Sequence, residues 1–185
     1  MIVIVGASAS GKTGLAKDFV KQNPKYKRIV TYTTRPKRNG EIDGVDYHFI
    51  TQQKFEELAN AGFFAEYNVY REWYYGTALE DCTDDIYSVA VLTPAGLRNI
   101  IKRKIKVLSV YLYVDRVHRL YNSLLRGDNV DEAYRRNLSD VGQFDGVEDE
   151  VMAVIDNAEL KLSKEGVLAV MNAIVKAYRA GELDE

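Results

Sequence analysis

Gly6-Ala7-Ser8-Ala9-Ser10-Gly11-Lys12-Thr13 follows directly on the apolar run Ile2-Val3-Ile4-Val5 and is the most informative segment of this sequence. It matches G-x-x-x-x-G-K-[ST], a phosphate-binding loop between a strand and a helix. Small side chains let backbone N–H groups approach phosphate oxygens closely, and a helix N-terminus favours an anion. We therefore expect Lys12 to act catalytically on the outer phosphates and Thr13 to hold Mg²⁺. The predicted phosphate-binding residues are Ser8, Ala9, Ser10, Gly11, Lys12 and Thr13.

Strand-like and helix-like stretches alternate along the rest of the chain. Residues 28–32, 86–92 and 107–114 have the pattern of strands, and 131–144 has that of a helix. The alternation predicts an α/β fold with a parallel sheet, and places the phosphate site at the carboxyl end of the first strand. The aromatic segment from Tyr32 to Thr77 interrupts the alternation and is predicted to be a subdomain inserted over the site.

Composition limits the classes of protein that fit. The 185 residues suit one domain, and a net charge of −2 gives no reason to expect nucleic acid as a partner. Cys82 is the single cysteine, which excludes an intramolecular disulfide and a cysteine metal cage, fits a reducing compartment, and predicts a cytoplasmic protein. No apolar run reaches the roughly 18 residues that cross a bilayer, and the start lacks the basic region of a signal peptide, so no membrane partner is expected.

The predicted insertion contains the residue types that a second phosphorylated ligand needs. Arg35 and Arg38 offer forked donors to a phosphate, and the hydroxyls of Tyr47 and Tyr75 could add to them. Glu66 lies among aromatic residues, and a buried carboxylate can accept two hydrogens from one edge of guanine, which adenine does not offer. From these residues alone, a solvated basic loop beside an aromatic core pair is an equal alternative.

Five strings in this region resemble guanylate kinase in their order and spacing. They are Thr33-Thr34-Arg35, Arg38-Asn39-Gly40-Glu41, Gly44-Val45-Asp46-Tyr47-His48-Phe49, Phe64-Ala65-Glu66-Tyr67 and Tyr74-Tyr75-Gly76-Thr77. The resemblance extends from the phosphate-binding loop to about Asn157 and is strongest up to Thr77. It implies ATP-dependent, Mg²⁺-requiring phosphorylation of a guanine nucleoside monophosphate, GMP or dGMP.

The resemblance also implies a single-domain P-loop NTPase fold of three layers. Its parts would be a core (1–31, 78–114 and 146–185), a nucleotide-monophosphate-binding region (32–77) and a helical lid (115–145). By the family pattern, Arg126 reaches the transferring phosphate and Asn157 lies near the donor adenine. The residues that the pattern implies for the nucleoside monophosphate are Thr31, Arg35, Arg38, Tyr47, Glu66, Tyr75, Gly76 and Thr77, of which Thr31, Glu66 and Thr77 would read guanine.

Two departures concern carboxylates. The family strand after the insertion carries two aspartates, and this chain has Val91 and Thr93 at those positions. Because the aspartate that usually helps is missing, two arrangements stay open: Thr13 is the expected protein ligand of the metal together with the phosphates, or Thr93 also holds a metal-bound water.

Further departures concern the arginines of the lid. The second lid arginine falls on Asn137, and Arg136, or else Arg135, is expected to replace it as a catalytic cation. Another falls on Asn122, for which Arg119 could substitute.

Two other functions stay open at this point. One is a kinase for another deoxy or modified nucleoside monophosphate, which the missing aspartates favour. The other is a guanylate-kinase-like binding module without catalysis. Such modules tend to have damaged phosphate-binding loops, whereas this loop and its Lys12 are intact.

Overall fold

The computed structural model describes residues 1–38, 40–70, 72–83 and 87–183. Within them the strands are β1 (Ile2–Val5), β2 (Lys27–Arg28), β3 (Tyr32–Thr33), β4 (His48–Phe49), β5 (Phe64–Tyr70), β6 (Trp73–Ala78), β7 (Ser88–Leu92), β8 (Leu108–Tyr113) and β9 (Ala153–Asp156). The α-helices are α1 (Lys12–Gln22), α2 (Gln52–Asn60), α3 (Pro94–Lys102), α4 (Arg116–Leu125), α5 (Val130–Ser139) and α6 (Lys164–Ala180). No helix in the described ranges is long and apolar enough to cross a membrane.

A five-stranded sheet in the order β2-β7-β1-β8-β9 forms the core, and all its strand pairs are parallel. Its central strand β1 is buried along its whole length, as expected where helices cover both faces of a parallel sheet. Ile2 and Ile4 pack in the cluster that includes residues of α1 and α6, whereas Val3 and Val5 pack in the cluster of α3. Helices therefore cover both faces of the core sheet, which confirms the predicted α/β fold with a parallel core sheet.

The segment that interrupts the alternation contributes a second sheet in the order β4-β3-β6-β5. The predicted single strand at 28–32 is wrong, because the chain leaves the core sheet and enters the second sheet within that stretch. The Ile29 N–H still donates to the Val89 carbonyl, at 2.8 Å, whereas the Thr31 carbonyl accepts from the His48 N–H of the second sheet, at 2.9 Å. The start of the strand predicted at 86–92 lies outside the described residues.

The helix predicted at 131–144 is shorter than expected. It begins at Val130 and ends at Ser139, with Asp140 as its C-cap residue. Gly142 follows with a φ of 79°, a left-handed conformation that cannot continue an α-helix. Because α5 ends at Ser139, the Asp140 side chain turns toward the phosphate-binding loop.

Candidate active site

A cleft extends from the loop after β1 to the face of the second sheet that carries Glu66. It is lined by these predicted site residues: Ser8, Ala9, Gly11, Lys12, Thr13, Thr31, Arg38, Tyr47, Glu66, Tyr75, Gly76, Arg126 and Arg136. The structure thus brings the phosphate-binding loop and most of the predicted acceptor residues to one cavity. Ser10, Arg35, Thr77 and Asn157 lie outside its lining.

The loop before α1 has the geometry of an anion cradle. Gly11 adopts a φ of 93° and precedes α1 without any side-chain cap, whereas each of the other described α-helices begins with one. A Cβ on Gly6 would lie 2.7 Å from the Ser10 hydroxyl, so only glycine fits there. Ser10 Oγ is buried without a partner in the described part of the chain. The first N–H groups of α1 therefore remain available to an anion.

Lys12 lies at the centre of a cluster of positive charge. Its Nζ donates to the Ala7 carbonyl at 2.9 Å. The pKa of Lys12 is lowered to about 8, chiefly by burial; Asp140 opposes this shift, and Arg119, Arg126 and Arg38 add to it. A bound polyphosphate would reverse this shift, because an anion stabilises the charged ammonium.

Asp140 joins four parts of the structure at the rim of this loop. Its carboxylate, almost fully buried, accepts the Ser8 N–H at 2.8 Å and pairs with Arg119 at 2.8 Å. The Tyr70 hydroxyl of β5 donates to it at 2.5 Å. Arg119 also binds the Val114 carbonyl and does not line the cleft, so in this structure it serves the ion pair.

Two arginines of the cleft, Arg126 at the end of α4 and Arg136 on α5, are held by acidic neighbours. Arg126 forms an ion pair with Asp128. Arg136 pairs with Glu132 at 2.7 Å and with Asp128 at 3.4 Å. Arg135 is largely exposed and does not line the cleft, so Arg136 is the better placed of the two.

Asn137 and Asn122 form hydrogen bonds with other parts of the protein. They occupy the two positions at which the resemblance implies arginines. Asn137 is buried and exchanges hydrogen bonds with Arg116, at 2.5 Å and 2.9 Å. The Asn122 amide donates to the Ala9 carbonyl of the phosphate-binding loop at 3.1 Å. Both amides therefore bind the protein itself.

Basic and phenolic groups meet at the middle of the cleft. Arg38 Nε is buried without a partner among the described residues, and burial lowers the pKa of Arg38, as does its neighbour Arg35. An unpaired buried guanidinium nitrogen favours an anionic ligand. Arg35 differs, because it is buried and both its terminal nitrogens bind Glu41, at 2.9 Å and 2.8 Å. Its guanidinium also lies 5.2 Å from the ring centroid of Tyr47.

Glu66 occupies the far end of the cleft. Its side chain is buried and accepts a hydrogen bond of 2.6 Å from the Thr77 hydroxyl. Burial raises the pKa of Glu66 to about 7, against the lowering effect of hydrogen bonds from Thr77 and Asn68. A Cβ on Gly96 would lie 2.9 Å from Glu66 Oε2, so the glycine makes room for this carboxylate.

Asn157 is buried behind the cleft. Its amide accepts from the Leu162 N–H at 2.8 Å and donates to the Leu162 carbonyl at 3.3 Å. These bonds shape the loop that follows β9.

Several residues that line the cleft were not predicted from the sequence. Asn68 and Tyr70 share a face of β5 with Glu66, and the period of two along a strand was a signal that could have identified them. Asp140 gave no comparable signal, because a helix was predicted to continue through it. The unpredicted lining also includes Trp73 and Phe144.

Comparisons with known proteins find relatives over most of this chain. The family model described as guanylate kinase matches residues 1–161. The guanylate kinase of Nostoc sp. is 33% identical over 143 residues, which cover 75% of this chain and 72% of that protein. The guanylate kinase of Wolbachia pipientis wMel is 30% identical over 179 residues, covering 93% of this chain and 89% of that protein.

Other matches are shorter or concern structure alone. The guanylate kinase of Nitratidesulfovibrio vulgaris is 43% identical over 84 residues, and this alignment spans only 41% of that protein. The crystal structure of guanylate kinase from Anaplasma phagocytophilum superposes with a TM-score of 0.69 at 17% identity, covering 96% of this chain and 85% of that chain. Because the identity is only 17%, this superposition shows a shared fold and nothing beyond it.

Proposed function

The chain belongs to the guanylate kinase family of phosphotransferases, and from this we propose that it transfers the γ-phosphoryl group of ATP to a guanine nucleoside monophosphate, GMP or dGMP. One observation carries the proposal: the phosphate-binding loop, Arg38 and the buried Glu66 line the same cleft. The donor and the acceptor can therefore meet in one site. We also propose that the protein acts in nucleotide metabolism in the cytoplasm.

In this proposal, positioning and charge stabilisation provide the catalysis. The acceptor phosphate is already an anion, so no general base is needed. Lys12 and the N–H groups of the loop hold the donor phosphates. Arg38, Tyr47 and Tyr75 hold the acceptor phosphate. Arg35 stabilises the loop that carries Arg38, because Glu41 binds both the Arg35 guanidinium and the Arg38 N–H. Thr31 and Gly76 line the cleft together with Glu66, and Thr77 orients that carboxylate through its hydrogen bond.

The lid supplies the remaining charge. Arg126 and Arg136 would exchange Asp128 and Glu132 for the transferring phosphate as residues 115–145 close over the core. Closure excludes water and so limits hydrolysis of ATP. The division into core, acceptor region (32–77) and lid is part of this proposal. Asn157 would support the donor adenine by shaping the loop at Leu162.

The residues of the cleft fit a Mg²⁺ ion held mainly by phosphates. No three His, Cys, Asp or Glu side chains cluster as metal ligands in the described ranges, and Thr13 lines the cleft beside Lys12. Mg²⁺ typically combines few protein oxygens with substrate phosphates and water. The Thr13 hydroxyl would hold it, and the bound ion would neutralise charge between the phosphates.

An acceptor panel tests the proposed function. With ATP and Mg²⁺, we expect turnover of GMP or dGMP with a kcat/KM at least about 10²-fold above that of every other ribo- and deoxynucleoside monophosphate. ADP release in a coupled assay gives the rates. Preferred turnover of a non-guanine nucleotide would instead support the alternative acceptor. ATP binding by calorimetry without turnover of any acceptor would support the binding module.

We expect the KM for GMP to rise as pH falls from about 8 to about 6, because Glu66 must be ionised to accept the guanine hydrogens. Its pKa is raised to about 7, so the carboxylate dominates above that pH and the neutral acid below it. The acceptor phosphate also titrates in this range. Because Glu66→Gln has no carboxylate at this position, its pH profile shows the contribution of the phosphate alone. The wild-type KM should rise about tenfold more than that of Glu66→Gln. Equal pH profiles for the two proteins would contradict the role of Glu66.

A further inference from the structure

Asn68 lies between two polar side chains at the base end of the cleft. Its Nδ2 donates to Thr93 Oγ1 at 3.0 Å and lies 3.4 Å from Glu66 Oε2. Asn68 is partly buried on β5 and lines the cleft together with Glu66 and Thr93. Val69, the next residue, is 54% exposed and points to the other face of the strand.

These contacts determine which end of the Asn68 amide faces the ligand. An ionised Glu66 only accepts hydrogen bonds, so the NH₂ end of Asn68 must face it. Thr93 Oγ1 also accepts from the Gly96 N–H, at 3.1 Å, where it caps α3. The carbonyl oxygen Oδ1 of Asn68 has no hydrogen bond within the described residues. The amide is therefore held by its nitrogen and keeps a free acceptor.

A free acceptor beside Glu66 complements one particular edge of guanine. That edge has three hydrogens, one on N1 and two on the 2-amino group. The Glu66 carboxylate can accept the N1 hydrogen and one amino hydrogen, which leaves the second amino hydrogen unpaired. An unpaired donor in a buried site is costly, so a further acceptor at this position favours guanine.

We propose that Asn68 determines base specificity in this enzyme, by accepting through Oδ1 a hydrogen from the 2-amino group of the acceptor base. The inference rests on the proposed function. Asn68 thereby takes up a recognition task at the place where Val91 and Thr93 offer no carboxylate. Thr93 acts through Asn68, because its hydroxyl holds the amide and the start of α3.

Inosine monophosphate provides the test, since its base has the N1 hydrogen but lacks the 2-amino group. For Asn68→Ala, we expect kcat/KM for GMP to fall about tenfold, the usual size for one hydrogen bond to a neutral group. The kcat/KM for inosine monophosphate should stay within about threefold, so the ratio between the two acceptors should fall about tenfold. The KM for ATP should not change.

Val69→Ala is the matched control, because it removes a side chain from the opposite face of the same strand, and its ratio should equal that of the wild type. Asn68→Ser provides a second variant, and thermal unfolding of each protein shows whether it is folded. A folded Asn68 variant with an unchanged ratio would overturn the inference, as would a parallel loss for both acceptors. If the wild type phosphorylates neither acceptor, the proposed function itself fails, which is a separate outcome.

Discussion

Replacing Lys12 with alanine is expected to lower kcat for phosphoryl transfer by about 10³-fold, while the protein stays folded. Lys12 is the cation of the phosphate-binding loop, and its charge would act where negative charge is transferred. Burial lowers the pKa of Lys12 to about 8, so the folded protein holds this ammonium at a cost in stability below that pH. Its removal should therefore leave the free energy of unfolding unchanged or higher. Coupled ADP release and thermal unfolding measure the two effects.

Lys21→Ala is the control for this substitution, because Lys21 is exposed in the last turn of α1. It should retain both turnover and stability. Near-normal turnover by folded Lys12→Ala would contradict the catalytic role of Lys12. A large loss of stability would contradict our interpretation of its burial.

Replacing Asp140 with alanine is expected to lower the free energy of unfolding by about 3–5 kcal/mol, because Arg119 would keep a buried charge without its partner. The Ser8 N–H and the Tyr70 hydroxyl would lose the same acceptor. Removing this carboxylate should also lower the pKa of Lys12 further, since Asp140 is the group that raises it. Denaturant unfolding gives the stability change.

Asp145→Ala is the matched control, because Asp145 is exposed in the same connection. It should change the free energy of unfolding by less than about 0.5 kcal/mol. The double variant Arg119→Met with Asp140→Leu should recover much of the loss, since apolar residues of similar size can replace a buried ion pair. A loss below about 1 kcal/mol in Asp140→Ala would refute the importance of the pair.

Much of the fold followed from local signals. The β-branched run 2–5 predicted a buried strand, and the glycines and Lys12 after it predicted the loop and the helix. The family resemblance of the strings in the insertion implied which side chains meet over the loop, and most of them line the cleft, although Arg35 and Thr77 do not. The strand at 28–32 could not be assigned correctly, since a strand pattern does not say which sheet it joins.

The parts of the site that escaped prediction depend on distant contacts. Asp140 meets Ser8 across 132 residues of sequence, and its inward turn follows from the early end of α5. Asn68 is partnered by Thr93, which follows β7 of the core sheet and caps α3. Neither pairing leaves a mark in local composition or periodicity. Both became visible only through the packing of the second sheet and α5 against the core.

We propose that one cleft holds a polyphosphate at the loop after β1 and reads guanine at Glu66. The most direct measurement is the ratio of kcat/KM for GMP over AMP in the wild type and in Glu66→Ala. We expect a wild-type ratio of at least about 10² that falls by about tenfold or more in Glu66→Ala. Equal efficiency with GMP and AMP in the wild type, or an unchanged ratio in the variant, would contradict this proposal.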